Sequence, residues 1–204
     1  MMIIKSFILP PLDNNNYLII DEESKEAALI DCSDESEEIE LELKKNDATL
    51  KYILLTHGHF DHIGGVNERA DETKLLMHEG DKDWIESVND YLPMFGMPSM
   101  LVPQIDNYFN DGDFIKLGSK EIKVIHTPGH TQGGVCFYID GVLFSGDTIF
   151  RESVGRCDLP GGNFDQILNS IQNKILTLPE DTIIYPGHGS QTTVGWEKEH
   201  NSYL

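Results

Sequence analysis

The chain has 204 residues, 39% hydrophobic and 25% charged, a composition that suits one soluble domain with a sizeable core. A formal net charge of −20 argues against nucleic acid and anionic membranes as partners, since both are bound through Lys and Arg, and no apolar run is long enough to span a bilayer. Cys32, Cys136 and Cys157 are odd in number and form no close redox pair, which predicts free thiols in a reducing cytoplasm.

Residues 1–12 are apolar, carry Lys5 and lack a small-residue cleavage pattern, so they predict a first strand and not a leader. Strands are expected at 3–9 and 17–20 around a loop at 10–16, and at 27–30 after the polar turn Glu22-Glu23-Ser24-Lys25. Residues 36–45 alternate apolar and acidic side chains, yet Glu, Leu and Lys favour a helix and the serines at 33 and 36 offer caps; a helix is expected, its acidic run solvated. A buried strand follows at 52–55, a helix beginning at 64–70, a strand at 74–77 and a helix at 81–88. Residues 89–110 are rich in Pro, Met and aromatics with few regular signals, which suggests a substrate lid. Further strands are expected at 114–117, 122–126, 135–139 and 142–145, separated by the turns Asp111-Gly112, Gly118-Ser119 and Asp140-Gly141. An amphipathic helix at 164–176, a strand at 182–185 and a short helix around Trp196 complete the pattern. Clustered strands with helices between them predict two packed sheets with helices outside, in one domain over 1–204.

Chemistry concentrates where the strand at 52–55 ends. Thr56-His57-Gly58-His59-Phe60-Asp61-His62 holds four ligand-type side chains within six residues. Imidazole and carboxylate suit zinc, and also manganese or iron. On an extended path His57, His59 and Asp61 point to one side and His62 turns with the chain, while Gly64-Gly65 permits close packing behind. A lone His would be unremarkable; this density after an apolar strand points to metal binding. Three later strands each end on a single ligand preceded by Gly: Gly129-His130, Gly146-Asp147 and Gly187-His188. Together these complete a site. His78 and His200 read as surface residues, and His126 as a structural neighbour or a residue behind the ligands.

The motif His-x-His-x-Asp-His followed by His, Asp and His resembles the metallo-β-lactamase superfamily, from the opening strands to Trp196. The resemblance implies an α/β fold, a four-layer αββα sandwich with the metals at one edge of the sheets. It implies that His57, His59 and His130 hold one divalent ion, that Asp61, His62 and His188 hold a second, and that Asp147 bridges. Zinc is the expected metal, with iron or manganese as alternatives.

Within the superfamily the chain resembles the short, single-domain relatives of glyoxalase II, the hydroxyacylglutathione hydrolases. Thr127-Pro128-Gly129-His130-Thr131, Ser145-Gly146-Asp147-Thr148, the run from Val154 through Gly155-Arg156-Cys157-Asp158 to Gly162, and Pro186-Gly187-His188-Gly189 carry that likeness. It implies hydrolysis of a small, glutathione-derived thioester by a hydroxide held between the ions. Asp61 would orient the hydroxide or take its proton, and Arg156 would bind a substrate carboxylate or else pair with a neighbouring acid. Arg151 is an outside candidate for that contact. The helical C-terminal extension with which full-length glyoxalase II grips glutathione has no counterpart before Leu204, and Cys157-Asp158 and Gly189-Ser190 replace residues of its pattern. A lactonase shares the motif. A persulfide dioxygenase would use one iron on His57, His130 and Asp147, and a metal-binding regulator would not turn over at all. Asp147 and the lack of a leader argue against an exported β-lactamase, and the net charge against a nuclease.

Overall fold

The structure is a computed structural model that describes residues 1–204. Its first sheet is built in chain order from β1 (Met2–Leu9), β2 (Asn14–Asp21), β3 (Glu26–Ile30), β4 (Thr49–Leu54), β5 (Lys74–His78) and β6 (Asn107–Phe109). The first three strands are antiparallel neighbours, and β3 to β6 run parallel. The second sheet begins with the meander β7 (Phe114–Leu117), β8 (Lys120–His126), β9 (Val135–Ile139) and β10 (Val142–Gly146). After a small hairpin, β11 (Ile149–Phe150) and β12 (Ser153–Val154), it is completed by β13 (Ile183–Pro186), parallel to β10, and β14 (Thr192–Thr193).

Period-two patterning assigns side chains to layers. On β2, Tyr17 and Ile19 pack between the sheets, with Leu54, Phe137 and Phe144. Leu18 and Ile20 point the other way, with Ile53 and Leu55, onto α1 (Glu37–Lys45), α2 (Lys82–Glu86) and α3 (Val88–Tyr91). The outer face of the second sheet places Leu143 and Ile184 against Ile167, Ile171 and Ile175 and against Val194. These come from α4 (Phe164–Ser170), the π-turn that extends it over Ile171–Ile175, and α5 (Val194–His200). The layer order is therefore αββα. No helix is long and apolar enough to cross a membrane.

Most expected elements appear with shifted ends. The helix expected at 36–45 forms as α1, which buries Ile39 and Leu43 one turn apart and leaves Leu41 in water; Ser36 sits at the N-cap without a side-chain bond. The loop expected at 10–16 is shorter, because its asparagines Asn14, Asn15 and Asn16 belong to β2 and are buried. The helix expected from residue 64 is reduced to a single 3-10 turn, Val66–Glu68, which follows another at Phe60–His62. Gly64 and Gly65 lie so close to the chain after β3 that a Cβ on Gly64 would come within 2.1 Å of the Ser33 carbonyl oxygen. The backbone there bonds outward, Gly65 N to Cys32 O and Cys32 N to His62 O, both at 2.9 Å, instead of along a helix. The helix expected at 81–88 breaks at Ser87 into α2 and α3. Within residues 89–110, Asn89 exchanges two hydrogen bonds with the Met100 backbone, at 2.9 and 3.0 Å; Asn67 Nδ2 and Arg69 Nη2 donate to the carbonyls of Leu101 and Gln104 at 2.8 and 2.9 Å, and the segment ends in β6.

At the end remote from the site, the buried Asp21 ties β2 to the β7–β8 turn. Its carboxylate accepts from Ser119 N at 2.9 Å, Ser119 Oγ at 3.1 Å and Ser24 Oγ at 2.9 Å. These bonds, led by the Ser119 amide, hold its pKa down at about 2. A pKa lowered on folding adds stability above the unfolded value near 4, and that stability is lost as pH falls toward 2. Asp21→Asn should therefore lower Tm at neutral pH and make the decline of Tm between about pH 4 and 2 shallower than in the wild type, as followed by circular dichroism. Parallel Tm–pH curves would show that Asp21 does not carry this link.

Candidate metal centre

All seven sequence-selected ligands meet at one edge of the sandwich. The loop after β4 brings His57 and His59, and the following 3-10 turn brings Asp61 and His62. The loop after β8 brings His130, the end of β10 brings Asp147, and the end of β13 brings His188. Ligand atoms lie within 4.8 Å of one another in three sets: His57, His59 and His130; His57, His62 and Asp147; Asp61, His62 and His188.

Hydrogen bonding fixes which imidazole nitrogens face inward. Thr56 Oγ1 donates to Asp31 Oδ2 at 2.8 Å, so it accepts from His57 Nδ1 at 3.1 Å. His62 Nδ1 donates to Asp31 Oδ2 at 2.8 Å, and His130 Nδ1 to the Arg156 carbonyl at 2.7 Å. Each of these three rings then turns its Nε2 toward the centre. His59 presents Nδ1, 3.1 Å from His57 Nε2 and 2.9 Å from His130 Nε2, while its ring stands perpendicular to Trp84 at 4.5 Å.

Asp147 lies between the two groups. Oδ1 is 3.5 Å from His62 Nε2; Oδ2 is 3.7 Å from both His130 Nε2 and His188 Nε2. Asp61 Oδ2 approaches His188 Nε2 at 3.3 Å and His62 Nε2 at 3.7 Å. Burial, then the neighbouring imidazoles, holds His57 and His59 far below the usual histidine pKa, which keeps their lone pairs free. Burial also disfavours charge on His62, but Asp31, Asp61 and Asp147 outweigh it and push the pKa up to about 10. Burial would raise Asp61, yet His62 and His188 hold it well below the ordinary carboxylate range. The pocket thus gathers imidazole nitrogens, the free lone pairs of His57 and His59 among them, and carboxylate oxygens around one centre, a donor set that suits a cation.

Two observations test whether cations fit. Asp147 Oδ1 is buried and has no hydrogen-bond partner. Gly187 leaves the space beside it open: a Cβ there would sit 2.3 Å from that oxygen and 2.9 Å from His62 Cε1. The donor set of imidazoles and carboxylates suits divalent ions of the zinc, iron and manganese kind.

Several supporting residues escaped the sequence reading. Asp31, buried at the end of β3 with a left-handed φ of 58°, orients His62 and also accepts from Thr56 N at 2.8 Å. Asp81 is a second buried carboxylate; it accepts from Gly58 N at 2.9 Å, Thr131 Oγ1 at 2.7 Å and Gly133 N at 2.6 Å, joining two ligand loops. Asn14 Nδ2 lies 2.8 Å from His62 Nε2. Asn15 clasps the last ligand loop: its N donates to Gly187 O at 2.7 Å and its Nδ2 to Pro186 O and Gly189 O at 3.0 and 2.9 Å. The one available signal was an acid directly after an apolar strand, Ile30-Asp31.

The remaining candidates lie farther out. Arg156 lines the cavity, but its guanidinium makes a bidentate pair with Asp158, at 2.7 and 2.8 Å. Arg151 lies over the Trp196 ring, 4.8 Å from its centroid. His126 and His78 stack on each other at 4.1 Å, His126 Nε2 donating to the Gln132 carbonyl, and His200 stacks on Trp196 at 3.9 Å. All three thiols are free, Cys32 and Cys136 buried.

Comparison with known proteins agrees with this geometry. Residues 9–188 match the family described as the Metallo-beta-lactamase superfamily. The chain is similar to the hydroxyacylglutathione hydrolase GloC of Haemophilus influenzae, 36% identical over 93% of this chain and 92% of that protein. Among solved structures it resembles the BLEG-1 B3 metallo-beta-lactamase, with a TM-score of 0.90 and 38% identity over 99% of each chain. It also resembles TTHA1623 in a di-iron-bound form, with a TM-score of 0.87 and 34% identity over 98% of this chain and 100% of that one.

Proposed function

The chain belongs to the metallo-beta-lactamase superfamily, and from that premise we propose that it is a binuclear thioester hydrolase of the hydroxyacylglutathione hydrolase type. His57, His59 and His130 would hold one divalent ion, Asp61, His62 and His188 the second, and Asp147 would bridge. The observation that carries this reading is Asp147, whose carboxylate lies within 3.7 Å of His130 from the first group and of His62 and His188 from the second. Zinc suits the donor set; the di-iron form of TTHA1623 makes iron the alternative. Convergence of Asp61, His62 and His188 in addition to the other four favours two ions over the single iron of a persulfide dioxygenase. The likeness to GloC supports the thioester.

When bound, a pair of divalent ions supplies an acidified water and polarises the scissile carbonyl. The chain supplies the rest. Asp61, held ionised beside His62 and His188, accepts a proton from the attacking water or orients it. The backbone carbonyl of Arg156 and the carboxylate of Asp31 keep the His130 and His62 rings aligned. Phe60, Trp84, Tyr91 and Phe150 line a cavity of about 400 Å³ and restrict bulk water around the reacting carbonyl.

Steady-state kinetics on metal-loaded protein test this. Lactoylglutathione and a neutral thioester should both be cleaved without oxygen uptake. Thioesters left intact, together with oxygen uptake on glutathione persulfide or turnover of a β-lactam alone, would overturn the assignment. Arg156→Ala should raise KM for the anionic thioester by no more than about fivefold, the scale of an exposed ion pair, with both metals retained. An unchanged KM would remove Arg156 from substrate binding.

A further inference from the structure

The cavity over the metal centre does not end at the ligands. It shares Trp84, Tyr91, Phe95 and Leu159 with an adjoining groove of about 440 Å³. The groove runs between the α2–α3 region with its following turn and the loop at 159–161. Met94, 81% exposed, and Phe95, 40% exposed, line it without joining the core. Tyr91 stands edge-on to Trp84 at 4.7 Å, and Gln132 Nε2 donates to the Gly161 carbonyl on the far side. No Lys or Arg lines the groove, whereas Asp83 and Asp90 do. Apolar walls that open onto the reacting centre, with carboxylates alone for charge, favour a neutral hydrocarbon and repel an anionic tail.

We propose that this groove holds an apolar acyl arm of the substrate, so that thioesters with a neutral hydrocarbon acyl group are cleaved in preference to those with an anionic acyl group; the acyl assignment rests on the hydrolase reading above. Burying each methylene strengthens binding about fourfold, so selectivity should climb with chain length until the groove is filled.

The test separates the groove from the chemistry. Trp84 and Trp196 are the only tryptophans, so Trp196→Phe leaves Trp84 as the sole indole reporter. Non-hydrolysable, neutral S-alkyl thioethers with arms of two to six carbons are titrated into this metal-loaded variant while Trp84 emission is followed. Kd should fall about fourfold per methylene, and kcat/KM for the matching acyl thioesters should rise in step. Met94→Asp and Leu159→Asp, on opposite walls, should each flatten both trends. A Kd indifferent to chain length overturns the proposal, whether or not thioesters are cleaved. So does a concentration-dependent dimer that Met94→Asp abolishes while chain length has no effect, since a second copy would then fill the groove. Binding that tracks chain length while no thioester is hydrolysed keeps the groove and removes the hydrolase reading.

Discussion

Asp147→Ala should lower kcat on any thioester by roughly 10³-fold or more and release metal from both positions, because one carboxylate serves two groups of ligands. The geometry leaves no substitute. Oδ1 is 3.5 Å from His62 Nε2 and Oδ2 is 3.7 Å from the Nε2 atoms of His130 and His188. No other carboxylate lies between the two sets; Asp61 groups with His62 and His188 alone. Asp147→Asn keeps the volume and one carbonyl oxygen but loses the charge, so it should retain more metal than Ala and little turnover. Metal content after repletion, measured beside kcat, decides. Loss of a single ion with activity retained would show that Asp147 does not bridge.

Gly187→Ala should cost turnover nearly as much, on the order of 10²-fold, although the residue carries no functional group. Its added carbon would meet Asp147 Oδ1 at 2.3 Å and His62 Cε1 at 2.9 Å. The backbone cannot swing away, because Gly187 N donates to Gly146 O at 2.8 Å and Gly187 O accepts from Asn15 N at 2.7 Å. The two side chains must move instead, out of the positions proposed for metal binding. Overpacking of this kind costs about 1–3 kcal/mol, so the fold should survive with a lowered Tm. Gly189→Ala is the comparison: its φ of 76° strains any side chain, but nothing lies within 4 Å of the new carbon. Equal losses in the two variants would trace the effect to backbone strain. Full activity and metal content in Gly187→Ala would mean that Asp147 and His62 do not occupy these positions.

Much of this was legible because ligand spacing is local. His57 through His62 announce themselves within one loop, and each later ligand follows an apolar strand and a glycine. The layers were legible too, since strands such as β2 and β4 alternate between two cores. What stayed hidden depends on partners distant in sequence. Asp31 looks like an ordinary loop acid until the chain brings His62 to it, 31 residues on. Asp81 acquires its role only when Thr131 and Gly133 arrive from the other sheet. The helix expected from residue 64 failed for the same reason: propensity is weak, and the carbonyls of Ser33 and Asp34 decide the path of Gly64-Gly65. Even β6 has no pattern of its own; Asp106, bonded through Oδ2 to Leu75 N at 2.9 Å, seats it beside β5.

The clasp of Asn15 on the last ligand loop has a consequence for how the protein comes to life. Asn15 and Pro186 are 171 positions apart, so their meeting closes nearly the whole chain and belongs among the late events of folding. A growing polypeptide emerges with His57, His59, Asp61 and His62 first, then His130 and Asp147, long before His188 is made. Only when the strand that ends at Pro186 docks beside Asn15 does His188 join the other six residues, so the full candidate ligand set exists only in the completed fold.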